Sequence, residues 1–338
     1  MQHKNSPGLT DLIIKNKKGL YVPQADVYID PWRPVDKALI SHIHADHCRH
    51  GNKQYICPDF SKLILKRRLG VQSVSSFPYG QRFSVNGVHF SFHPAGHIPG
   101  SAQIRVEHKG EVWVYSGDYK TEDDGLSHAF EPVKCNTFIT ECTFGLPVYR
   151  WMPQQEIIED IQKWWNANAT LNRPSLILAY SLGKAQRLIS ALGGSEIGPV
   201  YCHSATQQMN NAVRKSGFDL LKTKILTEKT KKEKLEKALV IISPSALSEH
   251  WKKTLKNAST AMTSGWMTIR GAKRRSAVDM GFAISDHADW DGLHTAIKET
   301  GAERIICTHG YQHIFSKWLN ENGWKAEEFE TEFENESE

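Results

Sequence analysis

The 338-residue chain is 40% hydrophobic and 23% charged, a balance that supports a buried core and argues against a disordered chain. Such a length exceeds what one compact core usually serves, so one large domain with an insertion, or two domains, is expected. No run approaches the roughly 18 apolar residues of a membrane span, and the first residues lack a signal peptide's apolar centre; a cytoplasmic protein without a membrane partner is expected. The six cysteines (Cys48, Cys57, Cys135, Cys142, Cys202 and Cys307) form no CxxC pair and read as reduced thiols. The formal net charge is +5, but residues 327–338 hold seven glutamates and no lysine or arginine, which leaves +12 on residues 1–326. So basic a body favours a polyanionic partner, nucleic acid being the commonest. The acidic end reads as a disordered, solubilising tail.

In chain order, Val27–Ile29 reads as a strand ending at Asp30, which is placed to hydrogen-bond a metal-binding histidine from behind. A turn aspartate before Pro31 is the plainer alternative. The apolar run Ala38–Ser41 reads as a buried strand and delivers His42-Ile43-His44-Ala45-Asp46-His47, three imidazoles and a carboxylate within six residues. In an extended or turning backbone His42 and His44 share a face and can chelate one ion, while Asp46 and His47 point at a neighbouring position. The spacing predicts two metal sites side by side, with ligands suited to zinc and also accepting manganese.

A helix over 60–69 and short strands at 54–58, 81–85 and 88–93 follow. Glycines and prolines flanking His97 fix a loop that presents its imidazole. The strand Val112–Ser116 ends at Gly117-Asp118, a carboxylate able to approach both ions and bridge them. Beyond residue 150, helices over 153–169, from Lys184 to Leu192, over 205–216 and over 246–257 alternate with strands Leu176–Tyr180, Val200–His203 and Leu239–Ser243, which means a parallel α/β sheet. Ser181, Gly183 and Lys184, and likewise Ser245, lie between strand and helix, where backbone N–H groups, hydroxyls and a lysine can hold a phosphate. Arg270, Lys273, Arg274 and Arg275 form a basic patch suited to a nucleic-acid backbone. The lysine-rich run from Lys222 to Lys237 reads as a solvated helix face. Tyr149 and Trp151 are candidates for stacking on bases, whereas Trp164 and Trp165 suit the core better.

The stretches HIHADH at 42–47, PAGHIPGSA at 94–102 and SGD at 116–118 resemble the metallo-β-lactamase fold. ECTFG at 141–145, an α/β unit in mid-chain, SDHAD at 285–289 and THG at 308–310 resemble its β-CASP branch, whose members are nucleases. The likeness runs from about Asp30 to Gly310. It implies an α/β protein: a metallo-β-lactamase αββα sandwich built from residues 1–150 and 272–326, an inserted β-CASP α/β domain over 151–271, and the tail at 327–338. It also implies two divalent ions, the first held by His42, His44 and His97 and the second by Asp46 and His47, with Asp118 bridging and His309 supplying the late histidine.

Two such cations would make hydroxide available at neutral pH for in-line attack on a phosphodiester and would offset charge on its oxygens. Asp46, Glu141 and His287 are the expected catalytic residues. Glu141 would orient His287 and favour its protonated form, so that His287 protonates the leaving alkoxide; transition-state stabilisation is its alternative role. The stretches ECTFGLPVYRW and SGWM to SDHADW resemble more finely the bacterial ligase-associated DNA exonucleases. That implies 5′→3′ action on 5′-phosphorylated DNA ends in repair, with a ligase or helicase as a partner by resemblance alone. In RNA-processing members the position of His309 tends to be histidine, and in many DNA-processing ones valine, so a ribonuclease is the second expectation. A non-catalytic nucleic-acid-binding scaffold is the third, disfavoured because no ligand is lost. Small-substrate hydrolysis, as in lactamases or thioesterases of the fold, suits so basic a body poorly.

Overall fold

The computed structural model describes residues 11–269, 271 and 277–333; the basic residues Arg270, Lys273, Arg274 and Arg275 lie outside them. Short apolar runs separated by turns build a first sheet whose six strands lie in chain order: β1 (Ile14–Asn16), β2 (Gly19–Val22), β3 (Val27–Ile29), β4 (Lys37–Leu39), β5 (Gln54–Pro58) and β6 (Val74–Phe77). From β3 onward these strands run parallel. A second sheet holds β7 (Phe83–Val85), β8 (Val88–Pro94), β9 (Ala102–His108), β10 (Glu111–Tyr115) and β11 (Thr137–Cys142), followed by β18 (Arg304–Gly310) and β19 (Lys325–Glu328). Its antiparallel hairpins give way to parallel pairing from β10 to β19. Alternating side chains of the two sheets meet in one core, Leu20, Val27 and Ile29 against Phe90, Phe92, Ile104 and Trp113, the expected outcome when each sheet has one apolar face.

A third, wholly parallel sheet is drawn from the chain between β11 and β18: β12 (Ser175–Leu178), β13 (Val200–Cys202), β14 (Lys224–Ile225), β15 (Leu239–Ile242), β16 (Ser259–Thr263) and β17 (Met280–Phe282), in the order β14-β13-β15-β12-β16-β17. Its last strand falls beyond residue 271, where the sequence suggested a boundary. Seven helices among the described residues complete the fold: α1 (Asp59–Leu69), α2 (Gln154–Thr170), α3 (Lys184–Leu192), α4 (Ser204–Lys215), α5 (Glu249–Thr254), α6 (Trp290–Thr300) and α7 (Gln312–Glu321). Ile64 and Leu65 of α1 share a core with the outer face of the first sheet and with Met209 and Val213 of α4, which joins the third sheet's layer to the first. Leu293, Ala296 and Phe315 of α6 and α7 cover the outer face of the second.

Two segments differ from expectation. The run 222–237 is not a helix; it holds β14 and a short 3-10 turn at Lys232–Lys234. Its buried apolar residues, Leu226 and Leu235, are spaced so that a helix would send them to opposite sides, and burying both requires an irregular path. The acidic stretch is structured where it is described: Glu327 and Glu328 belong to β19, and Phe333 is buried against Trp32 and Tyr115.

Candidate metal centre and its cavity

Parallel strands carry the key residues out at their C-terminal ends, the place where open α/β sheets form binding crevices. β3 and β4 pair with Ile29 opposite Leu39, so Asp30 and Ser41 emerge side by side and His42, His44, Asp46 and His47 follow on the next turn. His97 stands on the β8–β9 loop, Asp118 just past β10, Glu141 near the end of β11 and His309 near the end of β18. Gly117, with φ +57°, lets the chain pass Ser41 on its way to Asp118; a Cβ there would lie 2.8 Å from the Ser41 Cβ.

Each of the five histidines has one ring nitrogen held by the protein and the other turned inward. Ser41 Oγ is 3.0 Å from His42 Nδ1, Leu182 O 3.2 Å from His44 Nε2, Asp30 Oδ2 2.9 Å from His47 Nδ1, Asp286 O 2.7 Å from His97 Nδ1 and Thr308 Oγ1 3.2 Å from His309 Nδ1. Asp30, fully buried, also accepts from Ser41 N at 2.8 Å and Ser41 Oγ at 2.5 Å.

The inward atoms crowd Asp118. Its Oδ2 lies 3.4 Å from His42 Nε2, 3.5 Å from His47 Nε2 and 3.8 Å from His97 Nε2, while its Oδ1 lies 3.0 Å from His309 Nε2. His44 Nδ1 is 3.1 Å from His97 Nε2. His42 Nε2, His47 Nε2, His309 Nε2 and Asp118 Oδ1 are buried without a hydrogen bond among the described residues. Buried imidazole nitrogens and a carboxylate converging with so few other partners fit cations. Four sets among the described residues meet the spacing of a metal site, the ligand atoms of each lying within 4.8 Å of one another: His42, His44, His97 and Asp118; His47, Asp118 and His309; Asp30, His42 and His47; and Asp118, Glu141 and His287. In the last two, Asp30 and Glu141 are already engaged by hydrogen bonds to His47 and His287, which leaves the first two as the candidates. Asp46 stands at the edge of the second, with Oδ2 3.3 Å from His47 Nε2.

Electrostatics divide the imidazoles. Burial, seconded by neighbouring histidines, holds His42 and His97 well below the usual imidazole range, which leaves them neutral and able to donate a lone pair. Burial acts the same way on His47 but is outweighed by Asp118, Asp46 and Asp30, which raise it well above that range. Asp118 is held well below the carboxylate range because His47, His309 and His42 outweigh its burial. Asp46 is likewise brought down to about 2, His47 overcoming burial.

Glu141 and His287, 146 residues apart, meet beside this cluster, with His287 Nδ1 2.8 Å from Glu141 Oε1. Glu141 is itself fixed, accepting from Tyr119 N and Thr143 N at 3.1 Å each. Trp151 Nε1 donates to His287 O at 2.9 Å, so this indole serves the site's frame, while Tyr149 and Trp165 are buried in the core.

His44, Asp46, Asp118, His287 and His309 line a cavity of about 450 Å³, together with Ser181, Arg67, Arg68 and Gln208. The other expected phosphate contacts stand elsewhere. The N–H of Gly183 is taken by Gln186 Oε1 at 2.7 Å, and a Cβ on Gly183 would collide with Ile98. Lys184 is fully buried, its Nζ 5.6 Å from the Tyr180 ring centroid. Ser245 Oγ faces Ser243 Oγ at 3.4 Å and does not line this cavity. Sequence reasoning missed Arg67 and Arg68. Their signal is the basic last turn of α1, which by itself is also what a helix C-terminus favours. Neither forms an ion pair among the described residues, although Arg68 donates to Cys48 O at 2.8 Å.

Comparison with known proteins places this geometry in context. No family model matches the chain. It is 28% identical over 319 residues to a probable DNA ligase of Opitutus terrae, a match covering 93% of this chain and 30% of that protein. It is 22% identical over 206 residues to the endoribonuclease YSH1 of Candida albicans, covering 52% of this chain and 23% of that one. The chain therefore spans less than a third of either relative's length. A solved protein of unknown function from Enterococcus faecalis V583 shares its fold at TM-score 0.60 and 12% identity, over 88% of this chain and 80% of that one.

Proposed function

We propose that this chain, similar to the β-CASP metallo-β-lactamase nucleases, is a metal-dependent phosphodiesterase that cuts nucleic acid, with DNA ends as its preferred substrate. The observation that carries this reading is the convergence of five histidines and Asp118 on two adjacent ligand sets, at one end of a cavity that also holds Arg67 and Arg68. Cations held by such ligands, and guanidinium groups free of ion pairs in the same cavity, suit a phosphodiester, whose anionic oxygens are drawn to both. In this reading the two facing sheets form the metallo-β-lactamase sandwich, and the third sheet with its helices is the inserted β-CASP domain.

His42, His44 and His97 would hold one divalent cation and His47, His309 and Asp46 the other, with Asp118 between them; zinc suits the donors and manganese is compatible. Bound there, the cations would supply a water acidic enough to attack at neutral pH and would offset charge on the phosphate. The remaining work falls to the chain. Ser41, Leu182, Asp30, Asp286 and Thr308 fix the tautomer and orientation of each imidazole. Glu141 accepts from His287 Nδ1, which favours the imidazolium and readies the ring at the cavity wall to give a proton to the leaving alkoxide. Arg67 and Arg68 hold backbone phosphate along the cavity, and Ser181 can donate to it.

DNA is favoured because the similarity to the probable DNA ligase spans nearly the whole chain, whereas that to the endoribonuclease covers about half. Action from a 5′-phosphorylated end, a role in repair and association with a ligase or helicase belong to the same reading. A ribonuclease is the second reading, supported by His309 and by the endoribonuclease relative.

Four oligonucleotides of one sequence, DNA or RNA with a 5′-phosphate or 5′-hydroxyl, each labelled at the 3′ end, test both. Incubated with metal-loaded wild type and Asp118→Ala, shortening confined to 5′-phosphorylated DNA and absent from the variant supports the exonuclease. Preference for RNA moves the assignment to the ribonuclease, and retained binding without cleavage of any strand refutes both.

A further inference from the structure

Past β19 the chain turns back along the sandwich edge and is pinned at several points. Phe329 N donates to Cys307 O at 2.9 Å. Arg33 grips the Glu332 carboxylate with Nη1 at 2.6 Å and Nη2 at 3.1 Å, and Arg49 Nη2 donates to Glu332 O at 3.0 Å. These ties drive the next side chain, Phe333, inward until 7% of it is exposed. Its ring stacks on His47 with centroids 4.2 Å apart and planes 11° apart, and meets His309 edge-on at 5.6 Å and 77°. Trp32, edge-on at 5.7 Å, backs it.

We infer that Phe333 is a positioning residue of the metal centre, fixing the two imidazoles, His47 and His309, that would hold the second cation. The inference rests on the proposal that this cluster binds metal. His47 is constrained by Asp30 at Nδ1, by His42 at 4.2 Å between centroids and by the flat face of Phe333; rotation out of register would break all three. The electron-rich face of a phenyl ring also favours an imidazole made electron-poor by a bound cation. An apolar wall there keeps water from competing for the metal. Among the described residues no ring contact ties Phe333 to the first set, whose imidazoles are held by Ser41 Oγ, Leu182 O and Asp286 O. The two cations should therefore respond differently to its loss.

The 338-residue wild type, Phe333→Ala, Phe333→Tyr and Glu332→Lys are stripped of metal and titrated with zinc against a chromophoric chelator, and bound zinc is counted by atomic emission after dialysis. Wild type is expected to hold two ions. Phe333→Ala should keep one and bind the second about 10–100-fold more weakly, the range typical when a group supporting a ligand is removed. Phe333→Tyr, which keeps the stacking face, should restore it. Glu332→Lys repels Arg33 and loosens the strap while leaving the ring intact; it should weaken the same ion by less, and it carries the test if Phe333→Ala does not fold. Unchanged affinity for both ions in Phe333→Ala, or equal weakening of the two, overturns the inference. Wild type binding no zinc overturns the metal-centre reading itself, an outcome distinct from either.

Discussion

Asp30 offers the sharpest test of how the centre is organised. An ionised carboxylate only accepts hydrogen bonds, so its 2.9 Å contact to His47 Nδ1 keeps a proton on Nδ1, and it is Nε2, facing Asp118, that gives up its proton when a cation binds. Asp30→Ala would strand the Ser41 N–H and the His47 N–H in a fully buried site, at about 1–3 kcal/mol for each unmet donor, while the Ser41 hydroxyl, which loses the same partner, can rotate to another. We expect the metal-free variant to lose about 2–6 kcal/mol of stability, read from urea unfolding. Asp30→Asn separates that loss from the metal effect. Its carbonyl oxygen can serve one of the two N–H groups, but its NH₂ must then face the other. Stability should fall less than in the alanine variant, while the amide favours the His47 tautomer protonated at Nε2, which cannot ligate. Second-ion affinity should drop about 10–100-fold in Asp30→Asn, measured by chelator competition. An Asp30→Asn protein that binds both ions as wild type does would refute the tautomer argument.

Three further outcomes follow from the same geometry. Arg67→Ala and Arg68→Ala should each reduce the slope of log binding constant against log salt by about 1 for single- or double-stranded substrate; hydrolysis of a small activated phosphodiester, which reaches the metals without the strand, should be unchanged. Zinc uptake at neutral pH should release a proton from His47, whose raised pKa keeps it charged in the metal-free protein. Calorimetry in buffers of different ionisation enthalpy measures that release, and second-ion affinity should rise with pH, by about tenfold per unit below the raised pKa.

The buried pair Lys120 Nζ–Asp124 Oδ2, at 2.8 Å, gives the third. Asp124 is lowered because Lys120 and Arg187 outweigh burial, whereas Lys120 is also lowered, since burial and Arg187 outweigh Asp124. The two partners thus pull in opposite directions, and the close contact argues that both are charged. With its folded pKa depressed, Asp124 contributes stability above its unfolded value of about 3.9, lost as pH falls through the folded value. Asp124→Asn should cost about 3–5 kcal/mol at neutral pH by leaving Lys120 buried without its ion-pair partner, and should flatten the acid limb of the stability profile.

Much of the candidate site could be read from the chain because many of the side chains that converge there are close in sequence. His42, His44, Asp46 and His47 follow one strand, and their spacing alone separates them into neighbouring positions. His97 among glycines and prolines, and Asp118 after Gly117, carry the same kind of short-range signal. Resemblance, and not spacing, was needed for His309, Glu141 and His287, which share no local pattern with the first cluster. What tertiary structure alone decided is burial and aim. Lys184 has the setting of a phosphate-binding lysine, yet packing against Tyr180 removes it from the cavity, while Arg67 and Arg68, in an ordinary basic helix end, face into it. Phe333, in a stretch whose composition reads as disordered, becomes the wall behind His47 because Arg33 and Arg49 hold Glu332, the residue just before it. Ligand spacing is a property of a few consecutive dihedral angles. Which side chain lies behind another depends on contacts between strands far apart in the chain, and no short stretch of sequence contains those.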